Sequence, residues 1–121
     1  MRFREFFTSS EKRVLAGRDE DSNEELVKQA SPDEYVFHTA ASGSPFVNIK
    51  SPWKKVTKND IKEAAIFCAS KSQDWRDNKN NVEVHYFLGK DISKEPLMKV
   101  GTFGVKKFKT IKVRKEDIEK L

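Results

Sequence analysis

The sequence predicts an α+β fold, with one mostly antiparallel or mixed sheet of about five or six strands and two main helices. Short runs that combine aromatic and β-branched residues, the composition of half-buried strands, recur along the chain. Residues 58–75 instead place apolar or small side chains three and four positions apart, which predicts an amphipathic helix. The length of 121 residues and the thirteen aromatic residues indicate one ordered domain, residues 1–121, with a single core.

The first half of the chain predicts two strand pairs separated by a short helix. Polar turn residues follow the first strand, and Ser31-Pro32 ends the helix because a residue before proline disfavours helical backbone. Asp21 or Ser22 can cap the first turn of that helix. The expected elements are strands at 3–9 and 13–17, a helix from about 21 to 30, and strands at 34–39 and 45–50.

A loop of small residues, Ala40 to Ser44, joins the last two of these strands. Small side chains let a backbone approach a ligand closely, and Gly43 can adopt a positive φ. Loops held between strands often provide binding groups, so one side of a binding site is expected here. The plain alternative is a simple strand connection next to a core histidine, His38.

The second half predicts the main helix and three further strands. Thr57 and Asp60 have the spacing of a capping box, which places the helix start just after Thr57. Ala64, Ala65 and Cys68 fall on its small or apolar face and predict close packing against the sheet. The remaining elements are a strand at 82–88, an irregular stretch at 91–96, short strands at 101–105 and 109–113 joined by a basic turn, and a terminal helix or frayed tail at 116–121.

The net charge of +5 is concentrated in the last third of the chain. Residues 1–88 hold 14 basic and 14 acidic residues, whereas residues 89–121 hold 10 basic and 5 acidic ones. Such a cluster attracts polyanions and can match a phosphate backbone. The alternative is a solvated, lysine-rich strand edge that resists pairing with other strands. The clustered residues are Lys99, Lys106, Lys107, Lys109, Lys112, Arg114 and Lys115.

Other features argue against several functional classes. The N-terminal stretch is too charged for a signal peptide and no run approaches the length of a membrane span, so we expect a soluble, cytoplasmic protein without a membrane partner. Cys68, the only cysteine, lies in an apolar run that predicts a buried, inert thiol. His38 and His85 are the only histidines and have no matching ligand motif, so no metal or cofactor is expected. His38 with Ser42 or Ser44 alone is not a catalytic set, and no enzymatic activity is expected.

Several short motifs follow one another in a fixed order and together cover nearly the whole chain. This ordered set resembles the NFACT-R domain, the RNA-binding module found at the C-terminal side of ribosome-quality-control factors and also as small free-standing proteins. The motifs are Phe6 to Ser10 with Val14 to Arg18, Asn23 to Leu26, Val36 to His38 with Ser42 to Ser44, Glu63 to Ala65 with Ser70-Lys71, and Gly101 to Gly104 with Lys109 to Val113.

The resemblance implies an RNA-binding module without catalysis or metal, associated with tRNA, rRNA or the ribosome and linked to translation quality control. DNA stays open as a partner because phosphate contacts do not discriminate between the two polymers. We expect Arg18, Asn23, His38 and Ser44 to lie close together at one end of the sheet. With the basic cluster added, the predicted nucleic-acid-binding residues are Arg18, Asn23, His38, Ser42, Gly43, Ser44, Lys71, Lys106, Lys107, Lys109 and Lys112.

Two positions depart from the common family pattern. Val36 stands where members often have a tryptophan before the Phe-His pair, and Pro45 stands where many have a histidine after the Gly-Ser pair. Any role that needs a second ring in that loop is therefore not implied. The larger factors' N-terminal and coiled-coil parts have no counterpart in this sequence, so we expect a stand-alone module rather than tRNA recruitment or tail elongation.

The main alternative is a protein-interaction module that docks on a ribosomal or other partner through a strand edge, without direct RNA contact. A small hydrolase is a third reading. Salt-dependent RNA affinity separates the first two, because only phosphate binding releases counterions from a nucleic acid.

Overall fold

A six-stranded antiparallel sheet forms the centre of residues 3–121, the part of the chain that the computed structural model describes. Residues 3–121 contain the strands β1 (Arg4–Phe7), β2 (Arg13–Ala16), β3 (Glu34–Thr39), β4 (Val47–Pro52), β5 (Val82–Leu88), β6 (Ile92–Ser93), β7 (Gly104–Val105) and β8 (Lys109–Val113). The strand order of the large sheet is β1-β2-β4-β3-β5-β8, and β6 pairs with β7 in a separate two-stranded sheet.

Helices and the small sheet cover the two faces of the large sheet. The helices are α1 (Glu20–Gln29), α2 (Lys58–Ser70), α3 (Gln73–Asn78) and α4 (Lys115–Glu119), with single 3-10 turns at Trp53–Lys55 and Gly89–Asp91. On one face, Phe37 packs in a fully buried cluster with residues of α2 and α4, whereas its neighbour Val36 faces the opposite cluster with Leu26 of α1. Since side chains alternate along a strand, β3 contributes to both clusters. No helix within residues 3–121 combines the length and the apolar character that crossing a bilayer requires.

The predicted fold class is confirmed. The large sheet has six strands, the N-terminal hairpin is present, and α1 and α2 are the two main helices. Ala64, Ala65 and Cys68 are fully buried against the sheet, as their spacing predicts. Thr57 caps α2 and forms the expected capping box with Asp60.

Two predicted helix boundaries are wrong. The single helix expected at 58–75 is two helices, because the Ser72 hydroxyl accepts a hydrogen bond from the Trp75 backbone N–H at 3.1 Å and starts a new helix there. The first helix is capped by Asp19 rather than by Asp21 or Ser22. Asp19 accepts from the Ser22 backbone N–H at 2.8 Å, and the Ser22 hydroxyl accepts from the Asp19 N–H at 3.0 Å.

The strand prediction after residue 90 is also corrected. The stretch 91–96, expected to be irregular, includes β6, which pairs with β7. The strand expected at 101–105 is shorter, Gly104–Val105, and belongs to the small sheet, whereas β8 forms at the expected 109–113 and pairs with β5 at the edge of the large sheet. The end of the chain forms the short helix α4.

A buried carboxylate, Asp60, ties the start of α2 to the N-terminal hairpin. Its side chain is fully buried, accepts from the Ser10 hydroxyl at 2.7 Å and from the Thr57 N–H at 3.0 Å, and lies 3.7 Å from the Lys12 ammonium group. Burial alone would raise the pKa of Asp60, but hydrogen bonds from Ser10, Thr57 and Thr8 outweigh it and lower the pKa to about 2. The ionised form is thus part of the folded state.

We expect Asp60→Asn to lower the free energy of unfolding at pH 7 by about 2 kcal/mol, since the folded carboxylate has a pKa of about 2 against 3.8 when unfolded. A depressed carboxyl pKa stabilises the fold above pH 4, and this contribution is lost as the pH falls from about 4 to about 2. Urea titrations at pH 7, 4 and 2 measure the difference between the two proteins. Asp33→Asn, at an exposed position, is the control. An equal loss of stability at pH 7 and pH 2 would contradict the assignment.

Candidate nucleic-acid interface

A cavity of about 600 Å³, named the strand-end cavity here, opens where the β3–β4 loop meets the start of α1 and the junction between α2 and α3. Seven of the sequence-predicted binding residues line it, although they come from five separate places in the chain. These residues are Arg18, Asn23, His38, Ser42, Gly43, Ser44 and Lys71. The structure therefore brings together the group that the sequence placed at strand ends, including His38 and Arg18. Their role in binding stays a prediction.

The position of Arg18 depends on a close contact between α1 and the end of β2. The Asn23 side-chain oxygen accepts a hydrogen bond from the Phe46 backbone N–H at 2.9 Å, and the Phe46 carbonyl accepts from the Gly17 N–H at 3.0 Å. A Cβ at residue 17 would lie 1.9 Å from the Asn23 oxygen, so only glycine fits there. The exposed Arg18 side chain follows directly and lines the cavity.

The loop between β3 and β4 is fixed by hydrogen bonds at both ends. The Ser44 hydroxyl accepts from the Thr39 N–H at 3.0 Å and donates to the Pro45 carbonyl at 3.1 Å. The Gly43 carbonyl accepts from the Gln73 N–H at 2.8 Å, which joins the loop to the first turn of α3. Gly43 has a φ of +89°, a left-handed conformation that favours glycine. The loop is thus pre-formed, with exposed Ser42 at its tip.

His38 lines the cavity, and one of its two ring nitrogens is engaged by the backbone. Its Nδ1 donates to the Thr39 carbonyl at 2.8 Å, because a carbonyl can only accept, and its ring lies 4.4 Å from that of Phe46. Burial lowers the pKa of His38, the Thr39 hydrogen bond opposes this, and the neighbouring His85 lowers the pKa further. The neutral imidazole therefore has its proton on Nδ1. Nε2 has no hydrogen-bond partner within residues 3–121 and is not buried, so it is an available acceptor.

The same contacts argue against a serine–histidine catalytic pair. The Ser44 hydroxyl is already engaged by backbone groups of Thr39 and Pro45, and its contact with the Cys68 thiol is 4.0 Å long. No hydrogen bond within the described chain joins His38 to Ser42 or Ser44. Burial raises the pKa of the Cys68 thiol to about 12, so this cysteine is the unreactive thiol that the sequence predicts. Residues 3–121 contain no group of three or more side chains that could hold a metal ion.

Basic side chains dominate the charged groups around the strand-end cavity. Arg4, Arg18, Lys71 and Arg76 line it, against two acidic residues, one of which, Asp19, is held at the α1 cap. The backbone hydrogen bond from Ser22 lowers the pKa of Asp19, so it stays ionised while serving the helix. The charged lining as a whole suits an anion.

Several lining residues have no signal in the sequence. Arg4 and Arg76 are single basic residues in a strand and a helix, and His85 reaches the cavity because β5 pairs with β3 in a register that sets His38 opposite His85. Of these three residues, only His85 could have been predicted, and only from the register of β3 and β5. The residues that the sequence did not single out as binding residues include Arg4, Gln73, Arg76, His85, Phe103 and Phe108.

One wall of the strand-end cavity is the small β6–β7 sheet and the loop that joins its strands. Glu24 of α1 accepts from the Gly101 N–H at 2.7 Å and from the Lys94 ammonium group at 3.0 Å. The Gly101 hydrogen bond contributes most to lowering the pKa of Glu24. The Phe103 ring meets the Phe46 ring edge-on at 5.5 Å. The wall is thus held to the rest of the protein by the Glu24 carboxylate and by Ile92, Phe103 and Val105, which pack against the buried cluster that contains Phe46.

The basic C-terminal residues lie apart from this group. Lys106, Lys107 and Lys109 line a second cavity of about 670 Å³, named the edge cavity here, at the end of β5. Lys112 lines neither cavity: it stands opposite Glu83 on β5, and a strand turns residues 109 and 112 to opposite faces. The eleven predicted residues therefore do not form one continuous site. Phe108, which is 52% exposed, borders both cavities.

Comparison with known proteins identifies similar sequences and folds. The model of the family described as "NFACT protein RNA binding domain" matches residues 2–107. Coiled-coil domain-containing protein 25 of Danio rerio is 30% identical over 104 residues, which is 83% of this chain and 50% of that protein. The C-terminal part of the fibronectin/fibrinogen-binding protein from Streptococcus suis matches with a TM-score of 0.86 at 21% identity, covering 100% of this chain and 49% of that one. The chain thus spans about half the length of both proteins.

The environment of His38 predicts a loss of stability in mild acid. A histidine whose folded pKa lies below its unfolded value of 6.5 is protonated first in the unfolded chain. Its contribution to stability is therefore present above pH 6.5 and decreases as the pH falls below that value. We expect the free energy of unfolding of the wild type, relative to that of His38→Asn, to fall between pH 8 and pH 5 in urea titrations. A constant difference, or one that grows in acid, would contradict a half-buried neutral imidazole.

Proposed function

This chain belongs to the family of NFACT protein RNA binding domains, and from that membership we propose that the strand-end cavity is where it binds RNA. The observation that supports the location is the convergence of seven predicted residues from five places in the chain on one cavity with four basic side chains. A volume of about 600 Å³ lies within the usual range for small-ligand sites and suits one extruded nucleotide.

The groups in the cavity suit an unpaired base and its phosphates. The neutral His38 Nε2 accepts a hydrogen bond, and the serine hydroxyl at the loop tip can donate or accept one. Arg18 and Arg76 are exposed and can approach phosphate oxygens from two sides. RNA-binding proteins read unpaired nucleotides in this way, with polar groups at base edges and cations at the backbone. The proposed ligand is therefore an unpaired segment of a structured RNA.

The lysines of the last third extend this interface. Lys106, Lys107 and Lys109 are exposed at the edge cavity, next to the strand-end cavity, and we assign them to phosphates that flank the bound nucleotide. Lys112 is the peripheral member, since it faces Glu83 and lines neither cavity. These contacts add affinity without sequence preference.

The biological setting we propose is the cytoplasm, with tRNA or rRNA as the ligand, on or near the ribosome, in translation quality control. Family membership supports RNA as the partner and binding rather than catalysis as the activity. A role in docking on ribosomal protein, without RNA contact, is the competing proposal. Crosslinking in cells followed by sequencing of the bound RNA, with ribosome co-sedimentation alongside, tests both. Co-sedimentation without crosslinked RNA would favour the competing proposal.

The cavity assignment predicts the effect of removing its two exposed arginines. We expect Arg18→Gln and Arg76→Gln each to weaken binding of a fluorescent RNA by about tenfold, the loss of one charge-assisted hydrogen bond. Fluorescence anisotropy at fixed salt gives the affinities. Arg114→Gln, an exposed arginine that lines neither cavity, is the matched control and should leave the affinity nearly unchanged. Equal losses in all three variants would show that general charge, and not the cavity, determines binding.

The lysine assignment predicts a change in salt dependence. At about −0.7 per phosphate on single strands, replacing Lys106, Lys107 and Lys109 by Gln should flatten the slope of log affinity against log salt by about 2, with Lys112→Gln adding less than 0.7. Anisotropy titrations between roughly 50 and 200 mM salt measure the slope.

A control variant with three lysines replaced elsewhere tests whether location matters. Lys28, Lys58 and Lys120 are exposed and line neither cavity, so their replacement by Gln should leave the slope nearly unchanged. An unchanged slope in the first triple variant would mean that its lysines only keep the strand edge soluble.

A further inference from the structure

The edge cavity lies where the large sheet loses its outer strand. β8 pairs with β5 from Val82 to Tyr86, and Phe87 and Leu88 continue β5 without a β8 partner. On that side the strand is followed by the turn at Gly89–Asp91 and approached by residues 106–108. The result is a concave surface of about 670 Å³, of which the proposed nucleotide site uses only the lysines.

Aromatic rings held in fixed positions form the wall of this cavity. Tyr86 packs edge-on against Tyr35 at 5.5 Å and stacks on the buried Phe37 at 5.6 Å with an interplanar angle of 20°. Neither tyrosine hydroxyl has a hydrogen-bond partner within residues 3–121, and neither is buried, so both can bond to a ligand. Rings that are already ordered lose little conformational entropy when a flat ligand stacks on them.

Two exposed aromatic residues complete the surface. Trp53 is 42% exposed, although its backbone N–H is fixed by the Asp33 carbonyl at 2.9 Å. Phe108 is 52% exposed and stacks on His85, with ring centroids 4.1 Å apart at an angle of 23°. Large exposed rings at a concave site usually mark a binding surface.

The charges around the rings favour an anionic partner. Lys106, Lys107 and Lys109 line the cavity with one acidic residue, Asp91. The Lys54 ammonium group lies 5.8 Å from the centre of the Trp53 ring and adds a fourth cation beside it. Exposed aromatic rings among lysines are the combination with which proteins bind single-stranded nucleic acid, because bases stack on the rings while phosphates meet the cations.

We propose that the edge cavity is a second RNA subsite, in which an unpaired base stacks on Trp53 and Tyr86 while Lys106, Lys107 and Lys109 bind the flanking phosphates. Phe108 borders both cavities, so the strand runs past it from the first nucleotide to the second. This inference rests on the proposed function, because it concerns the continuation of the same RNA strand. It places Lys106, Lys107 and Lys109 beside the aromatic surface on which a base stacks, and it gives Trp53 a role in binding.

The test follows the fluorescence of Trp53 in a Trp75→Phe variant, which leaves Trp53 as the only tryptophan. Titration with a ten-nucleotide oligouridine should quench its emission along the same curve as the anisotropy of the labelled oligonucleotide. Trp53→Leu in the otherwise unchanged protein should weaken binding of the decamer between about fivefold and 150-fold, the range for the loss of one base stack. Phe7→Leu is the matched control: it changes a 59% exposed ring on β1, at the opposite edge of the sheet.

The outcomes separate the two proposals. Quenching that persists in Arg18→Gln at higher RNA concentration, and that weakens when Lys106, Lys107 and Lys109 are replaced by Gln, supports the second subsite. RNA binding by the wild type with no quenching of Trp53 and no effect of Trp53→Leu would overturn the subsite and leave the proposed function intact. Absence of RNA binding by the wild type would overturn both. If Trp75→Phe does not fold, the affinity of Trp53→Leu still decides the outcome.

Discussion

The backbone of Phe46 is the point on which the geometry of the strand-end cavity depends. Its N–H donates to the side chain of Asn23 and its carbonyl accepts from Gly17, so α1, the end of β2 and the entry to β4 are joined through one residue. The joint requires glycine at 17, because the Asn23 oxygen occupies the place of a Cβ. Arg18 follows this glycine, and its backbone is held by a hydrogen bond from its N–H to the Ser22 hydroxyl at 2.7 Å. The ring of Phe46 then supports His38 on one side and Phe103 on the other.

Much of the fold could be predicted because its signals are local. The aromatic and β-branched residues of 34–39 and the three-residue spacing of Thr57 and Asp60 are properties of short segments, and both structures form as those segments indicate. The break between α2 and α3 was missed although its signal is also local. Ser72 can cap a helix, which favours a break, but Trp75 continues the apolar spacing of the preceding residues, which favours one continuous helix. Tertiary packing decides between such competing local signals.

The residues that line the strand-end cavity were predicted in part, and the limit is physical. β2 and β3 run in the same direction on either side of β4, so Arg18 after β2 and His38 near the end of β3 come to the same edge of the sheet. His85 joins them only through the pairing of β5 with β3, and nothing within either segment specifies that pairing. For the lysines, in contrast, the sequence itself contains the signal that separates them. Lys109 and Lys112 belong to the same basic cluster and lie three positions apart in one strand. Because side chains alternate along a strand, this spacing alone sets them on opposite faces.

The attachment of the small β6–β7 sheet has a consequence for how a ligand enters. This sheet shares no strand pairing with the large one within residues 3–121, and Glu24 connects it to α1 through Gly101 and Lys94. Units with few cross-links open at a lower free energy than the core to which they are attached. Ile92, Phe103 and Val105 pack on the core only as partly buried residues, so we expect this wall to open at a lower free energy than the paired strands β3 and β5. We therefore expect amide hydrogens of residues 92–105 to exchange with solvent faster than those of the central strands, and entry into the strand-end cavity to follow that local opening rather than global unfolding.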